Sequence, residues 1–176
     1  MVLGIFLMLG AVFDDTGDRT GSSAWVSSLS DDGDPVHWHS CTVDYAVDLN
    51  GYPAEERDAI DEAIESTEEA SGVDFVEVPQ ADADLMIILS KQRQGQKLAT
   101  TQPYLLEDEY TSASVIVYAK AFQYPYPDRV DNYRHEFGHV LGLDHIEGSD
   151  LMNAFTVNNP TDDGWRTGLQ ALYPSC

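Results

Sequence analysis

Apolar and polar residues between positions 42 and 89 follow first a strand period, then a helix period, then a strand period again. Residues 42–49 alternate apolar and polar side chains, which predicts a strand with one buried face. In residues 53–71 apolar side chains recur every three or four positions, which predicts an amphipathic helix that begins at a proline and ends before a glycine. Residues 74–78 and 84–89 predict two further strands, and the nearly continuous apolar run of the second is typical of a central strand.

The second half of the chain adds one more strand and one more clear helix. Residues 100–110 show no period and are predicted to be irregular. The apolar run at 114–118 predicts a strand, and a helix is predicted at 129–141, after two prolines break the chain. No internal repeat or second core is visible, so we expect one domain of the α/β (α+β) class.

The first 36 residues lack these periods. Residues 1–13 are nearly all apolar; they are too short to cross a bilayer and are typical of the apolar part of a signal peptide. The alternatives are a buried strand or a misassigned start of the chain. Residues 14–36 are rich in Asp, Ser, Gly and Thr, which predicts a flexible linker or the remnant of a pro-segment. Residues 37–176 would then form the domain of a secreted or extracytoplasmic protein.

Net charge narrows the set of partners. The 176 residues include 31 acidic and 9 basic side chains, which give a net charge of −22. A negative field repels nucleic acid and anionic membranes, so neither is expected as a partner. The one exception is the membrane contact that an export signal would make. The acidity either keeps the protein soluble or reflects adaptation to high salt, where ions screen the self-repulsion.

The segment with the clearest chemistry runs from His135 to His145 and reads HEFGHVLGLDH. On a helix His135 and His139 lie one turn apart on the same face, as two ligands of one metal must. Gly142 predicts the end of that helix, where a left-handed glycine turns the chain so that His145 can approach the same point. Glu136 follows the first ligand, where its carboxylate can reach a metal-bound water without binding the metal.

Three histidines and one water are the open ligand set of catalytic zinc. Such a metal lowers the pKa of its water towards about 7, and Glu136 would take the proton as the water attacks a peptide carbonyl. An HExxH pair alone is a weak signal, and the alternative is a core helix with incidental histidines. The glycine and the third histidine at these spacings argue against that alternative.

These residues match the long zinc signature of the metzincin metallopeptidases, and the amino acids between the ligands are most similar to those of the matrixin branch. Met152 lies where the Met-turn of that family would follow. The resemblance implies a twisted, mostly parallel sheet with an antiparallel edge strand, three helices and an active-site cleft between two subdomains. It also implies endopeptidase activity, with zinc on His135, His139 and His145, Glu136 as the base and Met152 beneath the metal.

The chain departs from matrixins close to the third ligand. Ile146 stands where matrixins typically have serine, and Asn153 and Ala154 replace the usual Tyr-Pro after the methionine. The pro-segment cysteine motif and the histidine and aspartate set of the matrixin structural zinc are also missing. The metzincin assignment therefore rests on more positions than the matrixin assignment, and the pocket specificity stays open.

The resemblance also indicates where substrate would bind. It puts the strand before the zinc helix at the edge of the sheet, above the cleft. An extended polypeptide would add to that edge as a further strand. The residues of this predicted edge strand are Ser114, Val115, Ile116, Val117 and Tyr118.

Two weaker features could also hold metals. His37 and His39 would lie on one side of an extended chain and could bind a second metal, or they could be ordinary polar residues. Asp82 and Asp84 could contribute to a Ca²⁺ site or lie in a solvated turn.

The two cysteines, Cys41 and Cys176, bear on the compartment. In an exported protein they would form a disulfide that ties the C-terminal helix to the sheet. In a cytosolic protein they would stay as thiols.

Three functions compete. The first is a secreted, monomeric zinc endopeptidase that acts on polypeptides. The second is an exported binding or adhesion module whose zinc site is not catalytic, although such a module would not need Glu136. The third is a zinc hydrolase that acts on something other than peptides, which the spacing of the third ligand and of Met152 disfavours.

Stability and activity are predicted to rise as NaCl increases from low to molar concentration. The helix at 53–71 carries eight acidic residues in addition to one arginine, Arg57, and two of the acids, Glu68 and Glu69, face the negative end of its dipole. Each like-charged pair at four-residue spacing costs about 0.3 kcal/mol, and at about 1 M salt the Debye length falls to roughly 3 Å. Melting temperatures measured against NaCl, with and without Ca²⁺, check this. A flat or falling melting temperature in both series would mean that the acidity only keeps the protein soluble.

Overall fold

The structure is a computed structural model that describes residues 25–29, 33–106, 109–155 and 160–176. The predicted apolar segment 1–13 and residues 14–24 and 30–32 of the predicted linker lie outside these residues. The described elements, in chain order, are β1 (Thr42–Asp48), α1 (Glu55–Ser71), β2 (Asp74–Glu77), β3 (Leu85–Ser90), β4 (Ala99–Leu106), β5 (Glu109–Tyr118), a 3₁₀ turn (Ala121–Gln123), α2 (Tyr126–Val140) and α3 (Asp163–Leu172).

The five strands form one sheet in the order β2-β1-β3-β5-β4. β1 pairs in parallel with β2 and β3, and β3 pairs in parallel with β5, whereas β4 pairs with β5 in the antiparallel sense. The α/β class, the mostly parallel sheet with one antiparallel edge strand, and the three helices are confirmed. No helix among the described residues is long and apolar enough to cross a membrane.

The prediction that residues 100–110 are irregular was wrong. Ala99–Leu106 is the edge strand β4, and β5 already begins at Glu109. All eight side chains of β4 are half-buried or exposed, so the strand has no buried face and shows no apolar period. Pro103 also hides it, because proline is confined to edges or irregular positions of a sheet.

The prediction that residues 114–118 form the edge strand was also wrong. Ser114, Val115, Ile116, Val117 and Tyr118 belong to β5, which pairs with β3 on one side and with β4 on the other. Both edges of β5 are therefore occupied, and a peptide cannot add to it. Among the strands that the structure describes, the open antiparallel edge is that of β4.

The helices largely follow the predicted apolar stripes. α1 ends where predicted: Gly72 adopts φ 74° and its N–H donates to Glu68 O at 2.8 Å. α2 begins at Tyr126 rather than at residue 129, because Pro127 lies in the first turn, where a missing N–H costs nothing. The buried stripe of α1 includes the predicted residues Ala59, Ile60, Ala63, Ile64, Thr67 and Ala70.

Part of the predicted linker belongs to the fold. Ser28 N–H donates to Gly142 O at 2.8 Å, and Val36 N–H donates to Ser28 O at 2.9 Å. Val36 is only 2% exposed, and Trp25 packs against the core. Residues 25–29 and 33–36 thus line the chain that follows α2, a contact that local composition could not reveal.

Cys41 and Cys176 form the predicted disulfide, with Cα atoms 5.5 Å apart and a sequence separation of 135. The bond joins the start of β1 to the end of the chain, just after α3. Closing a loop of this length stabilises the fold by about 4 kcal/mol, because it restricts the unfolded chain. The end of the chain also packs tightly, since a Cβ at Gly72 would lie 2.5 Å from the Cys176 carbonyl carbon.

Candidate metal centre

Three imidazoles converge beside the C-terminal half of α2. His135 and His139 lie one turn apart on that helix, and His145 follows it. The Nε2 atom of His139 is 3.1 Å from Nε2 of His135 and 3.0 Å from Nε2 of His145. Among the described residues, these three form the one group of three or more His, Cys, Asp or Glu side chains that could hold a metal ion.

The outer nitrogens of two of these rings are anchored. His135 Nδ1 is 2.7 Å from Leu151 O, and His139 Nδ1 is 2.8 Å from Leu143 O. A carbonyl oxygen only accepts, so Nδ1 carries the proton in both rings and each Nε2 presents a lone pair. The contact between these two nitrogens therefore cannot be a hydrogen bond.

This geometry fits a metal ion. Two nitrogens on a tetrahedral zinc ion, each at about 2.05 Å, would lie about 3.3 Å apart, close to the separations observed. Backbone carbonyls that hold the outer nitrogens of the rings are the usual support of histidine ligands. The three rings together offer the neutral nitrogen set that zinc prefers.

Burial favours the neutral form of these imidazoles. Desolvation, and then the neighbouring His135 and His145, lower the pKa of His139 to about 3. Desolvation also lowers the pKa of His135 and of His145. The neutral form is the one that binds a metal.

The end of α2 confirms the predicted turn. Gly142 adopts φ 100°. Its N–H donates to His139 O at 3.1 Å, and Leu143 N–H donates to Gly138 O at 2.9 Å, which is the hydrogen-bond pattern of a Schellman motif. A Cβ at Gly142 would lie 2.4 Å from Val36 O, so both the conformation and the space require glycine.

Glu136 is buried beside the histidines, with 5% of its surface exposed. Its Oε2 accepts a hydrogen bond of 2.5 Å from Thr101 Oγ1, on the edge strand β4. Burial raises the pKa of Glu136 to about 7, while Thr101 and the charge of Lys97 oppose the rise. A buried carboxyl with a pKa near neutrality can both accept and donate a proton.

Met152 packs against the helix that carries the histidines. It is 1% exposed, and a Cβ at Gly138 would lie 2.6 Å from its Sδ. Its carbonyl accepts a hydrogen bond of 3.0 Å from Ile146 N–H, next to the third histidine. Because the preceding carbonyl, Leu151 O, holds His135, this segment positions two of the three rings.

Two residues of the site were missed at the sequence level. Asp150 is buried, and its carboxylate accepts hydrogen bonds from Met152 N–H at 3.0 Å and from Gly164 N–H, in the first turn of α3, at 2.8 Å. An Asp two residues before the methionine is a turn signal that could have been read. Thr101 gave no signal, since its partner Glu136 lies 35 residues away.

A cleft of about 570 Å³ opens in front of the histidines and Glu136. β4 contributes Thr101 and Pro103 to its wall, and none of its described lining residues comes from 114–118. Phe155, 81% exposed, lies at its rim.

The weaker metal candidates lie elsewhere. His37 stacks on His39, with ring centroids 5.4 Å apart, and His39 lies 3.5 Å from Glu109. Asp82 and Asp84 are exposed, and neither belongs to a metal-sized group among the described residues.

A comparison with protein-family models and with curated proteins finds no match for this chain.

Loss of one ring should abolish tight metal binding. His145 is the most exposed of the three, so His145→Ala should still fold. Its affinity for zinc should fall more than about a hundredfold, because loss of a ligand costs more than loss of a residue that only supports a ligand. Isothermal titration of metal-stripped protein measures this. His39→Ala, an exposed histidine outside the group, is the control and should bind one zinc like the wild type. Equal affinities in all three proteins would reject the metal centre.

Proposed function

We propose that this chain is a zinc-dependent endopeptidase of the metzincin type. The observation that carries the proposal is the convergence of three imidazoles in an open cleft. His139 Nε2 lies 3.1 Å from His135 Nε2 and 3.0 Å from His145 Nε2, and the buried Glu136 lies next to them. Zinc bound by these rings would supply Lewis-acid activation of water and of the peptide carbonyl.

Glu136 would move the protons. Its carboxylate takes a proton from the attacking water and delivers it to the leaving nitrogen of the peptide bond. A pKa near 7 suits both transfers, since a shuttle works best when its pKa lies near the operating pH. Thr101, which donates to Oε2, holds the carboxylate in one orientation while it acts.

The edge of β4 would bind the substrate backbone. Ala113 N–H donates to Asp84 O, on the β3 side, so its antiparallel pair with Pro103 is not a hydrogen-bonded pair. By the alternation of antiparallel pairs, Ala99, Thr101 and Pro103 direct their free backbone groups away from β5. An extended peptide can add there as a strand, and Pro103, which lacks an N–H, offers only its carbonyl.

Several features support the metzincin assignment. The antiparallel edge strand borders the cleft, the helix with the first two histidines ends at a left-handed glycine, and Met152 packs beneath that helix. These are the positions that the resemblance of the sequence implies. The assignment to the matrixin branch rests on the amino-acid sequence of the segment 135–145 alone.

The competing functions are less favourable. A module with a non-catalytic zinc site would bury Glu136 at a cost in desolvation and without a role for it. A hydrolase of non-peptide substrates would not need the open backbone edge of β4. We further propose that the protein is exported and monomeric; the Cys41–Cys176 disulfide supports export, because such bonds persist in oxidising compartments.

Glu136→Gln should remove hydrolysis but not the metal. The amide keeps the volume and the Thr101 contact but cannot accept the proton, so kcat on casein should fall by about 10²–10⁴. Zinc content should stay at about one per chain, measured by elemental analysis. Glu65→Gln, an exposed carboxylate on α1, is the matched control and should behave like the wild type, and a chelator should silence the wild type. Undiminished hydrolysis by Glu136→Gln would reject the mechanism; no hydrolysis by zinc-loaded wild type would reject the function.

Thr101→Val should lower kcat with little change in KM. Losing a hydrogen bond to a charged group is worth about 1.5–3 kcal/mol, or roughly 10- to 100-fold in rate, if the bond orients Glu136 during the reaction. Thr101→Ser restores the hydroxyl and should recover most of the rate, while all three proteins keep their zinc. Equal kcat in the valine and serine variants would show that Thr101 only fills space.

A further inference from the structure

Positive charge is concentrated at one end of the cleft in an otherwise acidic chain. Residues 85–106 and 110–127 contain no Asp or Glu, although the whole chain has 31 of them. Burial explains this for β3 and most of β5, which lie inside the sheet. It does not explain it for the exposed loop 91–97 or for the edge strand β4.

The cations of this region lack acidic partners. Among the described basic side chains, the four that pair with carboxylates are Arg57, Arg129, Arg134 and Arg166. The four that do not are Lys91, Arg93, Lys97 and Lys120, which lie in the loop between β3 and β4 or just after β5.

Two of these cations line the cleft. Lys97 and Lys120 do so, and they are two of the three lysines of the chain. Glu136 lines the same cleft. Both ammonium groups thus lie at the end of the cleft where β4 begins.

The backbone holds these lysines in place. Lys97 N–H donates to Gln94 O at 3.0 Å and closes a tight turn. Tyr118 N–H donates to Leu98 O at 2.8 Å, which ties the chain before Lys120 to the turn, and Lys120 Nζ donates to the Gln96 side chain.

The other carboxyl groups that line the cleft only partly offset this charge. Asp131 is paired with Arg134 at 3.0 Å, and Asp128, exposed in the first turn of α2, makes no ion pair with any residue that the structure describes. Asp150 also lines the cleft, but its carboxylate is occupied by two backbone N–H groups. Among the described residues, two ammonium groups without a carboxylate partner therefore face the unpaired carboxylate of Asp128 and the buried carboxyl of Glu136.

The direction of the bound peptide follows from strand pairing. Antiparallel pairs are slightly more stable than parallel ones, so a peptide on β4 should run from the Leu106 end towards the Ala99 end. The scissile bond would lie near Thr101 and Glu136. The residues after that bond would then lie over Lys97 and Lys120.

We propose that the substrates are polypeptides with acidic side chains just after the scissile bond, bound there by Lys97 and Lys120. This specificity rests on the proposed endopeptidase function. Because residues 85–106 and 110–127 contain no acidic side chain, the part of the cleft wall that they form does not repel such substrates.

Matched quenched-fluorescence peptides test this. One set carries Asp and Glu after the cleavable bond, a second carries Asn and Gln there, and a third carries the acids before the bond. Assays use the lowest NaCl concentration at which the wild type still melts cooperatively. The first set should be cleaved with a kcat/KM about fivefold higher than the second, the scale of two exposed ion pairs, and molar NaCl should reduce the ratio.

Two double variants separate the cleft lysines from overall charge. Lys97→Gln with Lys120→Gln should bring the ratio to about one. Lys91→Gln with Arg93→Gln removes the same charge outside the cleft and should leave the ratio unchanged. Equal loss in both variants, no preference in the wild type, or a preference for acids before the bond would overturn the proposal.

A binding measurement keeps the two proposals apart. Fluorescence anisotropy with the Glu136→Gln protein, which needs no turnover, should give a Kd about fivefold lower for the first set than for the second. The same binding preference without any cleavage by the wild type would reject the peptidase and support the charged subsite. Cleavage without a preference in either assay would reject the subsite and leave the peptidase standing.

Discussion

The approach of three imidazoles to one point depends on the way α2 ends. Two of the rings lie on a continuous helix, and the third can reach them only if the chain reverses within three residues of the helix end. Gly142, at φ 100°, makes that reversal, and the Val36 carbonyl at its back leaves no room for a side chain. The segment before β1 therefore helps to form the site, since its backbone bonds to the turn at Ser28 and Val26.

The turn is supported from below by a second layer of contacts. A Cβ at Gly138 would lie 2.6 Å from Met152 Sδ and 3.0 Å from Trp165 Cδ1, so this glycine allows two large side chains to pack beneath the histidines. Trp165 is fully buried, donates to Arg134 O at 3.1 Å and lies under the Arg134 guanidinium. Asp150 joins the Met152 segment to the start of α3. The candidate metal centre is thus supported by the Met152 and Trp165 side chains beneath α2 as well as by the backbone of the loops.

The parts of this arrangement that sequence could predict are the local ones. The spacing of His135, His139 and Gly142 determines where the rings lie on one helix, and the buried stripe of α1 follows directly from its period. Position within the sheet is different. β5 has the apolar pattern of any buried strand, and nothing in its residues says whether one neighbour or two will pair with it. The true edge, β4, was hidden because neither of its faces is fully buried, so its side chains need not alternate between apolar and polar.

Long-range polar contacts could not be predicted either, because the sequence does not show which distant residues the fold brings together. Thr101 and Glu136 meet across the gap between the sheet and α2, and neither residue type in isolation indicates the other. The disulfide was the exception, since only two cysteines exist and only one pairing is available. Sequence therefore identified the groups to which we assign the chemistry, while the structure was needed to show what holds them and which strand edge is open.

Burial shifts the pKa values of Glu136 and His139 in opposite directions, and no pH leaves both groups in the form that burial favours without a cost to stability. It raises the pKa of Glu136 to about 7, so the stability that its neutral form contributes is present below its unfolded value of 4.5 and is lost as pH rises through 7. It lowers the pKa of His139 to about 3, so the stability of the neutral ring is present above its unfolded value of 6.5 and is lost as pH falls towards 3. Between 4.5 and 6.5 both groups are partly penalised. A divalent cation among the rings would offset both, because it binds the neutral imidazoles and favours the charged carboxylate beside them. The electrostatics of the metal-free site thus favour a bound cation, as the spacing of its nitrogens does.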